Sequence, residues 1–271
     1  MISITPKEFR QLAEYIKEHY GINLKEEKQA LVTGRLNNVL VQNNIKSFSD
    51  YYNYIVSDKT GNAVITLIEK ITTNHTFFMR EIEHFNYFRS NIIPNLVKTV
   101  GTKDFRIWSA GCSSGEEPYT LAMIIDEFFG TENKNWDTKI LATDISNKVL
   151  DIAINGTYEN DRITSLPSQW KMNYFKKLDD EKVILIDKIR DEVIFRKFNL
   201  MEQVFPFKKK FHVIFCRNVM IYFDNKTKME LIEKFYNLTE PGGYLFIGHS
   251  ESLGRDNTNY KYVMPAVYRK V

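Results

Sequence analysis

The first seventy residues carry apolar side chains at helical spacing. Four segments share this pattern: residues 6–20, about 26–41, 48–55 and 63–71. The first begins with a capping box, in which Thr5 and Glu8 flank Pro6 at the first helical position, and it closes at Gly21. Because no strand signal interrupts these segments, we expect a small all-α domain over residues 1–73.

From residue 105 the pattern changes to short apolar strands that alternate with helices. We expect strands at 105–110, 139–144, 193–200, 211–216 and 244–249, and a last strand pair or edge strand in the tail. Such alternation predicts an α/β fold with a mostly parallel sheet and helices on both faces. We assign residues 105–271 to this domain and 74–104 to a linker and helix.

One segment breaks the alternation. Residues 174–195 hold short apolar runs on either side of a charged turn at Asp179 and Asp180. This pattern predicts a small antiparallel β-subdomain, inserted within the α/β domain.

The first strand of the α/β region ends in a turn with two glycines, Gly111 and Gly115. The turn lacks the lysine of a P-loop and the full glycine pattern of a dinucleotide site, which disfavours a phosphate ligand. Glu116 and Glu117 begin the next helix. For either acid alone, stabilisation by the helix dipole is as good an explanation as ligand binding. Together, beside glycines that let a backbone approach closely, they favour a positively charged ligand such as an ammonium or sulfonium group.

Polar residues follow the later strands as well. Asp144 ends the second strand, where it could accept both hydroxyls of a ribose or cap the next helix. Asn199 and Leu200 follow the third strand and could flank an adenine, and Arg217 and Asn218 close the fourth. Ligands of parallel sheets bind at these carboxyl ends. A nucleoside with a positively charged appendage fits, and S-adenosylmethionine is the common ligand of that description.

Composition narrows the class of protein. A net charge of +3 is too small to indicate a nucleic-acid surface, and the two cysteines fit neither a disulfide framework nor a metal site. The chain shows no export leader and no apolar run long enough for a membrane span. We therefore expect a cytoplasmic protein with no nucleic-acid partner, no membrane insertion and no metal.

The ordered motifs resemble those of the CheR-type chemotaxis receptor methyltransferases. Six segments carry the resemblance: ITTNHTFFMRE (71–81), WSAGCSSGEEPYTLA (108–122), LATDIS (141–146), FNLM (198–201), IFCRNVMIYFD (214–224) and GGYLFIGHSESL (242–253). It covers nearly the whole chain. The resemblance implies a Rossmann-like fold and methyl transfer from S-adenosylmethionine to glutamate side chains of chemoreceptors, giving glutamate methyl esters and S-adenosylhomocysteine. We expect the chain to act as a monomer.

The resemblance also implies particular cofactor contacts. They are Asn74, Thr76, Arg80, Glu117, Asp144, Asn199, Leu200, Arg217 and Asn218. Without it, Asn74 and Thr76 would read as a polar loop that ends a helix. The residues leave open whether Glu116 or Glu117 faces the ligand.

The implied acceptor, a glutamate carboxylate, is ionised at neutral pH and needs no general base. We therefore expect positioning groups instead, with Arg80 and Tyr222 orienting the substrate carboxylate. Tyr222 fits a core aromatic equally well.

The receptor sites implied by the resemblance lie on acidic helices. Lys25, Lys28 and Arg35 could dock them, or could form a solvated face. Family members can hold a receptor tail on the β-subdomain. The predicted turn here has no glycine, which argues against that tethering.

Two alternative functions remain. A methyltransferase acting on amino nitrogen normally carries an Asn/Asp-Pro-Pro-aromatic loop after the fourth strand, where Cys216-Arg217-Asn218-Val219 stands instead. A non-enzymatic adaptor or sensor for receptors or S-adenosylmethionine predicts loss of the cofactor residues, and all of them are present.

Overall fold

The computed structural model describes residues 2–73, 75–130, 135–254 and 258–271. The chain packs as two compact units. The first takes in residues 1–75 and 222–228, and the second takes in 76–221 and 229–271.

The first unit is helical, as predicted. Its helices are α1 (Pro6–Tyr20), α2 (Gln29–Gln42), α3 (Phe48–Ser57) and α4 (Asn62–Ile71), with a 3-10 turn at Glu26–Lys28. The capping box of α1 is formed by Thr5 and Glu8, and Gly21 ends the helix in the left-handed region at φ 72°. The apolar stripe of α2 turns inward, since Val32, Leu36, Val39 and Leu40 are buried.

A segment from the second half of the chain returns to the helical unit. Phe223 forms an antiparallel bridge with Ile22, and the Tyr222 carbonyl accepts a hydrogen bond from Asn23 N at 2.8 Å. Lys17 Nζ lies 2.7 Å from an Asp224 carboxylate oxygen. Nothing in the sequence pattern predicted this return.

The second unit begins with a helix that changes its hydrogen bonding along its length. It comprises α5 (Ile82–Tyr87), a π-helical stretch (Phe88–Ile92) and α6 (Ile93–Thr99). Pro94 has no N–H, so one helical hydrogen bond is missing where the stretch ends. Phe85, Phe88 and Ile92 bury one face of the helix in the core.

The elements that follow are, in chain order, β1 (Ile107–Ala110), α7 (Glu116–Phe129), β2 (Ile140–Asp144), α8 (Asn147–Asn155), β3 (Thr157–Glu159), α9 (Ser168–Tyr174), β4 (Phe175–Lys177), β5 (Lys182–Leu185), α10 (Asp187–Arg190), β6 (Val193–Lys197), β7 (Phe211–Cys216), α11 (Asn225–Leu238), β8 (Thr239–Ile247), β9 (Lys261–Met264) and β10 (Val267–Arg269). Seven strands form one sheet in the order β6-β2-β1-β7-β8-β10-β9. The first five are parallel, and β10 and β9 are antiparallel to their neighbours. The predicted α/β fold is confirmed.

The central strands are buried on both faces. Every residue of β1 and β7 is buried, which explains why both strands are mostly apolar. The Trp108 indole of β1 donates to Thr143 Oγ1 of β2 at 2.9 Å, so its one polar atom is satisfied. Among the described residues, no helix is long and apolar enough to cross a membrane.

The remaining three strands form a small antiparallel sheet in the order β3-β5-β4. Its β4–β5 hairpin matches the predicted insertion, and Asp179 shapes the turn by accepting from Glu181 N and Lys182 N. The prediction missed β3, which has only three residues and directly follows α8, so no alternation could reveal it. The prediction also ran too far, because Val193 and Phe195 belong to the large sheet.

Candidate functional site

The candidate site lies where the strand order of the large sheet reverses. β1 is flanked by β2 on one side and β7 on the other, so their carboxyl ends lie side by side. The glycine turn 111–115, Asp144 and Arg217 lie at the carboxyl ends of these three strands. Ligands of open α/β sheets bind at such a point.

The two glycines of the turn are required by backbone conformation and by protein packing. Gly111 and Gly115 have φ of 83° and 93°, where residues with a side chain are strained. A Cβ on Gly111 would lie 2.5 Å from Val219 Cγ2, and one on Gly115 would lie 2.8 Å from Ala153 Cβ. These contacts give both glycines a structural reason, whereas close approach of a ligand to their backbone stays a prediction.

The two neighbouring glutamates have different surroundings. The Glu116 side chain has no exposed surface, accepts from Ser114 Oγ at 2.7 Å and pairs with Arg162 at 3.4 Å. The Glu117 side chain is 13% exposed and accepts from Ser109 Oγ at 2.7 Å. Of the two acids, Glu117 is therefore the one accessible from the solvent.

Glu117 is part of a three-residue charge cluster. The Arg217 guanidinium lies between two acids, with Nη1 3.0 Å from Glu117 Oε2 and Nη2 3.1 Å from Glu81 Oε2. It also donates to the Arg80 carbonyl and lies over the Phe85 ring. With two carboxylates and one guanidinium, the cluster has a formal charge of −1, which suits a ligand with positive charge.

The same contacts show what Arg217 does. Its side chain is only 3% exposed, and all three of its nitrogens donate to protein oxygens. Its observed role is to hold Glu81 and Glu117, whereas contact with the methionine part of a cofactor stays a prediction.

Burial and charge shift the pKa values of these acids in opposite directions. Burial raises the pKa of Glu117, and the Arg217 charge only partly offsets it. Burial also acts to raise the pKa of Glu81, but the Arg217 charge and hydrogen bonds from His249 N and Asn218 lower it overall.

Asp144 ends β2 and organises the adjoining turn. Its Oδ2 accepts from Ser113 N at 2.9 Å, and its Oδ1 accepts from Ser146 N at 3.0 Å. Ser146 itself caps α8 by accepting from Val149 N. Asp144 is therefore not the side-chain cap of that helix, and its carboxylate accepts from two backbone N–H groups at the end of β2.

Asn199 and Leu200 lie in the turn after β6. Asn199 Oδ1 accepts from Met201 N at 3.0 Å, and both residues are partly exposed. Phe198 N donates to the Asp144 carbonyl at 2.9 Å, which fixes this turn against the end of β2.

Glu251, a buried acid that follows β8, holds the loop after β7. Glu251 accepts backbone hydrogen bonds from Asn218 at 3.0 Å, from Ile221 at 3.1 Å and from Gly248. The Asn218 side chain donates to Glu81 at 3.2 Å. Burial raises the pKa of Glu251, and these N–H donors partly offset the shift.

Several residues around the site have strained backbones. Met79, Glu81, Ser113 and Asn218 all have φ between 49° and 61°, the left-handed region that residues with a side chain rarely adopt. Such conformations persist where surrounding contacts impose them and occur preferentially at functional sites.

The segment around Arg80 is also described, except for Asn74, which lies outside the described residues. Thr76 is partly exposed and its carbonyl accepts from Arg162 at 2.7 Å. Arg80 is partly exposed in the second unit. Tyr222 belongs to the first unit, where its hydroxyl accepts from Thr73 N at 2.9 Å. It is partly exposed, so it is not a fully buried core aromatic.

Two histidines lie beside this cluster. Glu81, His84 and His249 have potential ligand atoms within 4.8 Å of one another. However, the Arg217 guanidinium binds the Glu81 oxygen that faces His84. That oxygen is therefore already engaged by a cation, whereas His84 Nδ1 is buried and has no hydrogen-bond partner among the described residues.

Sequence reasoning missed Ser109, Glu81 and Glu251. Ser109 is the one polar side chain in the apolar strand β1, a pattern that signals a buried hydrogen bond. Glu81 and Glu251 lie within motifs noted in the sequence, next to Arg80 and in GHSES, but their partners are distant along the chain.

The proposed docking residues Arg35, Lys25 and Lys28 differ in whether their side chains already have a structural role. Arg35 donates to the carbonyls of Lys70 and Thr72 at the end of α4, so its guanidinium has a structural task. Lys25 and Lys28 lie at the ends of the exposed stretch before α2.

Comparison with known proteins gives concordant matches along the chain. The CheR methyltransferase all-alpha domain matches residues 7–72, and the CheR methyltransferase SAM-binding domain matches residues 74–269. A chemotaxis protein methyltransferase of Borreliella burgdorferi is 46% identical, covering 99% of this chain and 96% of that protein. Chemotaxis protein methyltransferase 1 of Pseudomonas aeruginosa is 34% identical (97% and 96% covered), and the Escherichia coli K12 chemotaxis protein methyltransferase is 33% identical (93% and 86%).

Proposed function

Since this chain belongs to the CheR methyltransferase family, we propose that it methylates specific glutamate side chains of chemotaxis receptors, forming glutamate 5-O-methyl esters. The general activity of this family is S-adenosylmethionine-dependent methylation in chemotaxis. S-adenosylmethionine is accordingly the cofactor, and S-adenosylhomocysteine is the product.

The observation that carries the proposal is the charge cluster at the strand ends. Glu81, Arg217 and Glu117 form a net negative site beside the glycine turn. Asp144 offers carboxylate oxygens one strand away. These carboxylates suit a nucleoside that carries a cationic appendage and do not suit a nucleotide with negatively charged phosphates.

We assign the cofactor contacts accordingly. Asp144 would hold the ribose hydroxyls, Asn199 and Leu200 would flank the adenine, and Glu117 would face the cationic methionine end. Glu116 would not contact the cofactor, because its carboxylate is enclosed by Ser114 and Arg162. When bound, S-adenosylmethionine supplies a methyl carbon activated by the positively charged sulfur.

The protein's own task is then alignment. A glutamate acceptor has a pKa near 4.3 in an unperturbed setting, so it is already a nucleophilic carboxylate and no residue has to remove a proton. Holding the reacting groups in line and excluding water can lower a barrier by roughly 7–11 kcal/mol. We assign the orientation of the acceptor carboxylate to Arg80, through its fork of donors, and to the Tyr222 hydroxyl.

The partner would be the cytoplasmic helical region of a receptor, which places the reaction in the cytoplasm. Lys25 and Lys28 are exposed on the helical unit, but Glu26 and Glu27 lie between them and Lys25 Nζ is 4.0 Å from Glu27, so the positive charge they offer to an acidic helix is partly balanced. Arg35 contributes less to this surface, because it caps α4. A monomer is sufficient for the proposed activity.

Methyl transfer to a receptor cytoplasmic fragment tests the site assignment. With saturating labelled S-adenosylmethionine, we expect Arg80→Ala and Tyr222→Phe each to lower the rate of label incorporation by about tenfold or more, the effect of losing one charged or oriented contact. Arg89→Ala is the control, since Arg89 is exposed and pairs only with Glu127 among its described charge partners. Unchanged rates in both site variants would show that the acceptor is oriented by other residues.

A further inference from the structure

The small sheet contacts the glycine turn directly. The hydroxyl of Tyr158, on β3, donates to the Ser114 carbonyl at 2.7 Å within a buried environment. Tyr158 also limits the space beside Gly115, since a Cβ there would lie 3.1 Å from its hydroxyl. The turn after β1 is therefore held by a residue of the inserted sheet.

A 3-10 helix after β3 (Asn160–Ile163) contacts the same turn and the segment 76–80. Arg162 Nη1 donates to the Thr76 carbonyl at 2.7 Å and lies 3.4 Å from Glu116 Oε1. Glu116 is fully buried, and its other oxygen accepts from Ser114 Oγ at 2.7 Å. One guanidinium thus connects the segment that carries Thr76 to the turn that carries Ser114.

Aromatic packing reinforces this connection. Phe78 has no exposed surface and packs edge-to-face against Tyr158 at 5.0 Å and Phe175 at 5.6 Å between ring centroids. Ser165 Oγ lies 3.4 Å from the Phe78 carbonyl. Both aromatic partners belong to the small sheet, so two of its strands pack against the segment 76–80 at Phe78.

We propose that Arg162 is a positioning residue for cofactor binding, which fixes the segment 76–80 against the glycine turn through Thr76 and Glu116. This inference rests on the proposed roles of Thr76, Arg80 and the turn at the cofactor. Arg162 itself does not touch the reacting groups. The small sheet consequently acts as a support for the cofactor site, whatever else binds to it.

The guanidinium geometry makes the inference specific. Arg162 is 42% exposed, yet a single nitrogen serves both the carbonyl and the carboxylate, in a charge-assisted arrangement. A lysine keeps the charge, but its single nitrogen lies on a shorter side chain and reaches the two acceptors less well. Arg162→Lys should therefore restore part of what Arg162→Ala removes.

Calorimetric binding of S-adenosylmethionine and hydrogen exchange of the cofactor-free protein test the proposal without any methyl acceptor. We expect Arg162→Ala to weaken cofactor affinity by about tenfold or more, as for one lost charge-assisted hydrogen bond, with an intermediate value for Arg162→Lys. Amides of residues 76–80 should exchange about tenfold faster in Arg162→Ala, because the segment loses its anchor. Arg89→Ala, which removes an exposed arginine far from these contacts in sequence, should change neither quantity.

A double-mutant cycle gives the second measurement. Glu116→Gln keeps the side-chain shape, and its effect on cofactor affinity should not add to that of Arg162→Ala, since both remove the same connection. Wild-type affinity and exchange in Arg162→Ala would overturn the proposal, and so would additive effects in the cycle. Because neither readout involves an acceptor, failure of the glutamate proposal would leave these results unchanged.

Discussion

Replacing Arg217 tests the charge cluster most severely. Arg217→Met removes the guanidinium but retains a long side chain, so no large cavity forms. Arg217 is 3% exposed and Glu81 and Glu117 are each 13% exposed, so the substitution leaves two nearly buried acids without their cationic partner. Breaking a buried pair in this way costs about 3–5 kcal/mol of unfolding free energy. For a unit of this size, the melting temperature should fall by roughly 6–20 °C.

The pH dependence identifies the cause of that loss. In the wild type, Arg217 lowers the pKa of Glu81, so this acid contributes stability above its unfolded pKa, and the contribution is lost as pH falls. In Arg217→Met, burial raises the pKa of both acids, so their penalty is largest at neutral pH and disappears as they become protonated. The stability difference between the two proteins should therefore narrow from about pH 7 to about pH 5.

Urea unfolding at several pH values measures both quantities. Arg89→Ala is the matched control, because its ion pair with Glu127 at 3.2 Å is exposed and should be worth about 0–1 kcal/mol. Adding Glu117→Gln to Arg217→Met should recover part of the lost stability, since one unpaired charge is removed. A difference that stays constant with pH, or that Glu117→Gln fails to reduce, would refute the electrostatic reasoning.

Three further predictions follow from single contacts. Glu251→Gln replaces a carboxylate that accepts from backbone N–H groups with an amide, so the free energy of unfolding in urea should fall by about 1–3 kcal/mol. An unchanged free energy of unfolding would mean that those N–H groups find other acceptors. Gly111→Ala brings a Cβ against Val219, so the stability measured in thermal melts should fall by about 1–3 kcal/mol. Adding Val219→Ala should recover part of that stability. If it recovers none, backbone strain at position 111 is the sole cause of the loss. Asp144→Asn should weaken S-adenosylmethionine binding by about tenfold or more in calorimetry, whereas unchanged affinity would separate Asp144 from the ribose.

Local sequence signals predicted much of the fold. The capping box at Thr5 and Glu8 and the αL glycine at position 21 involve neighbours in the chain, so the helix ends can be derived from them. The buried runs of β1 and β7 identified the central parallel strands. Three-residue β3 lies below the length at which alternation can be recognised.

The side-chain partners within the candidate site could not be predicted from the sequence. Successive helical residues point about 100° apart, so the sequence could not say which of Glu116 and Glu117 is enclosed; that depends on Arg162, 46 positions from Glu116. The role of Arg217 likewise depends on Glu81, 136 positions away. Pairings over such separations are set by the sheet topology, which spacing alone does not encode.

The central claim, methylation of a carboxylate, has a direct chemical test. The protein is incubated with methyl-labelled S-adenosylmethionine and a receptor cytoplasmic fragment, the labelled fragment is isolated, and the pH is raised. A glutamate methyl ester hydrolyses in alkali and releases the label as volatile methanol, so the label should leave the fragment. Label that survives alkali on the fragment would indicate an N-methyl product and would contradict the proposed function.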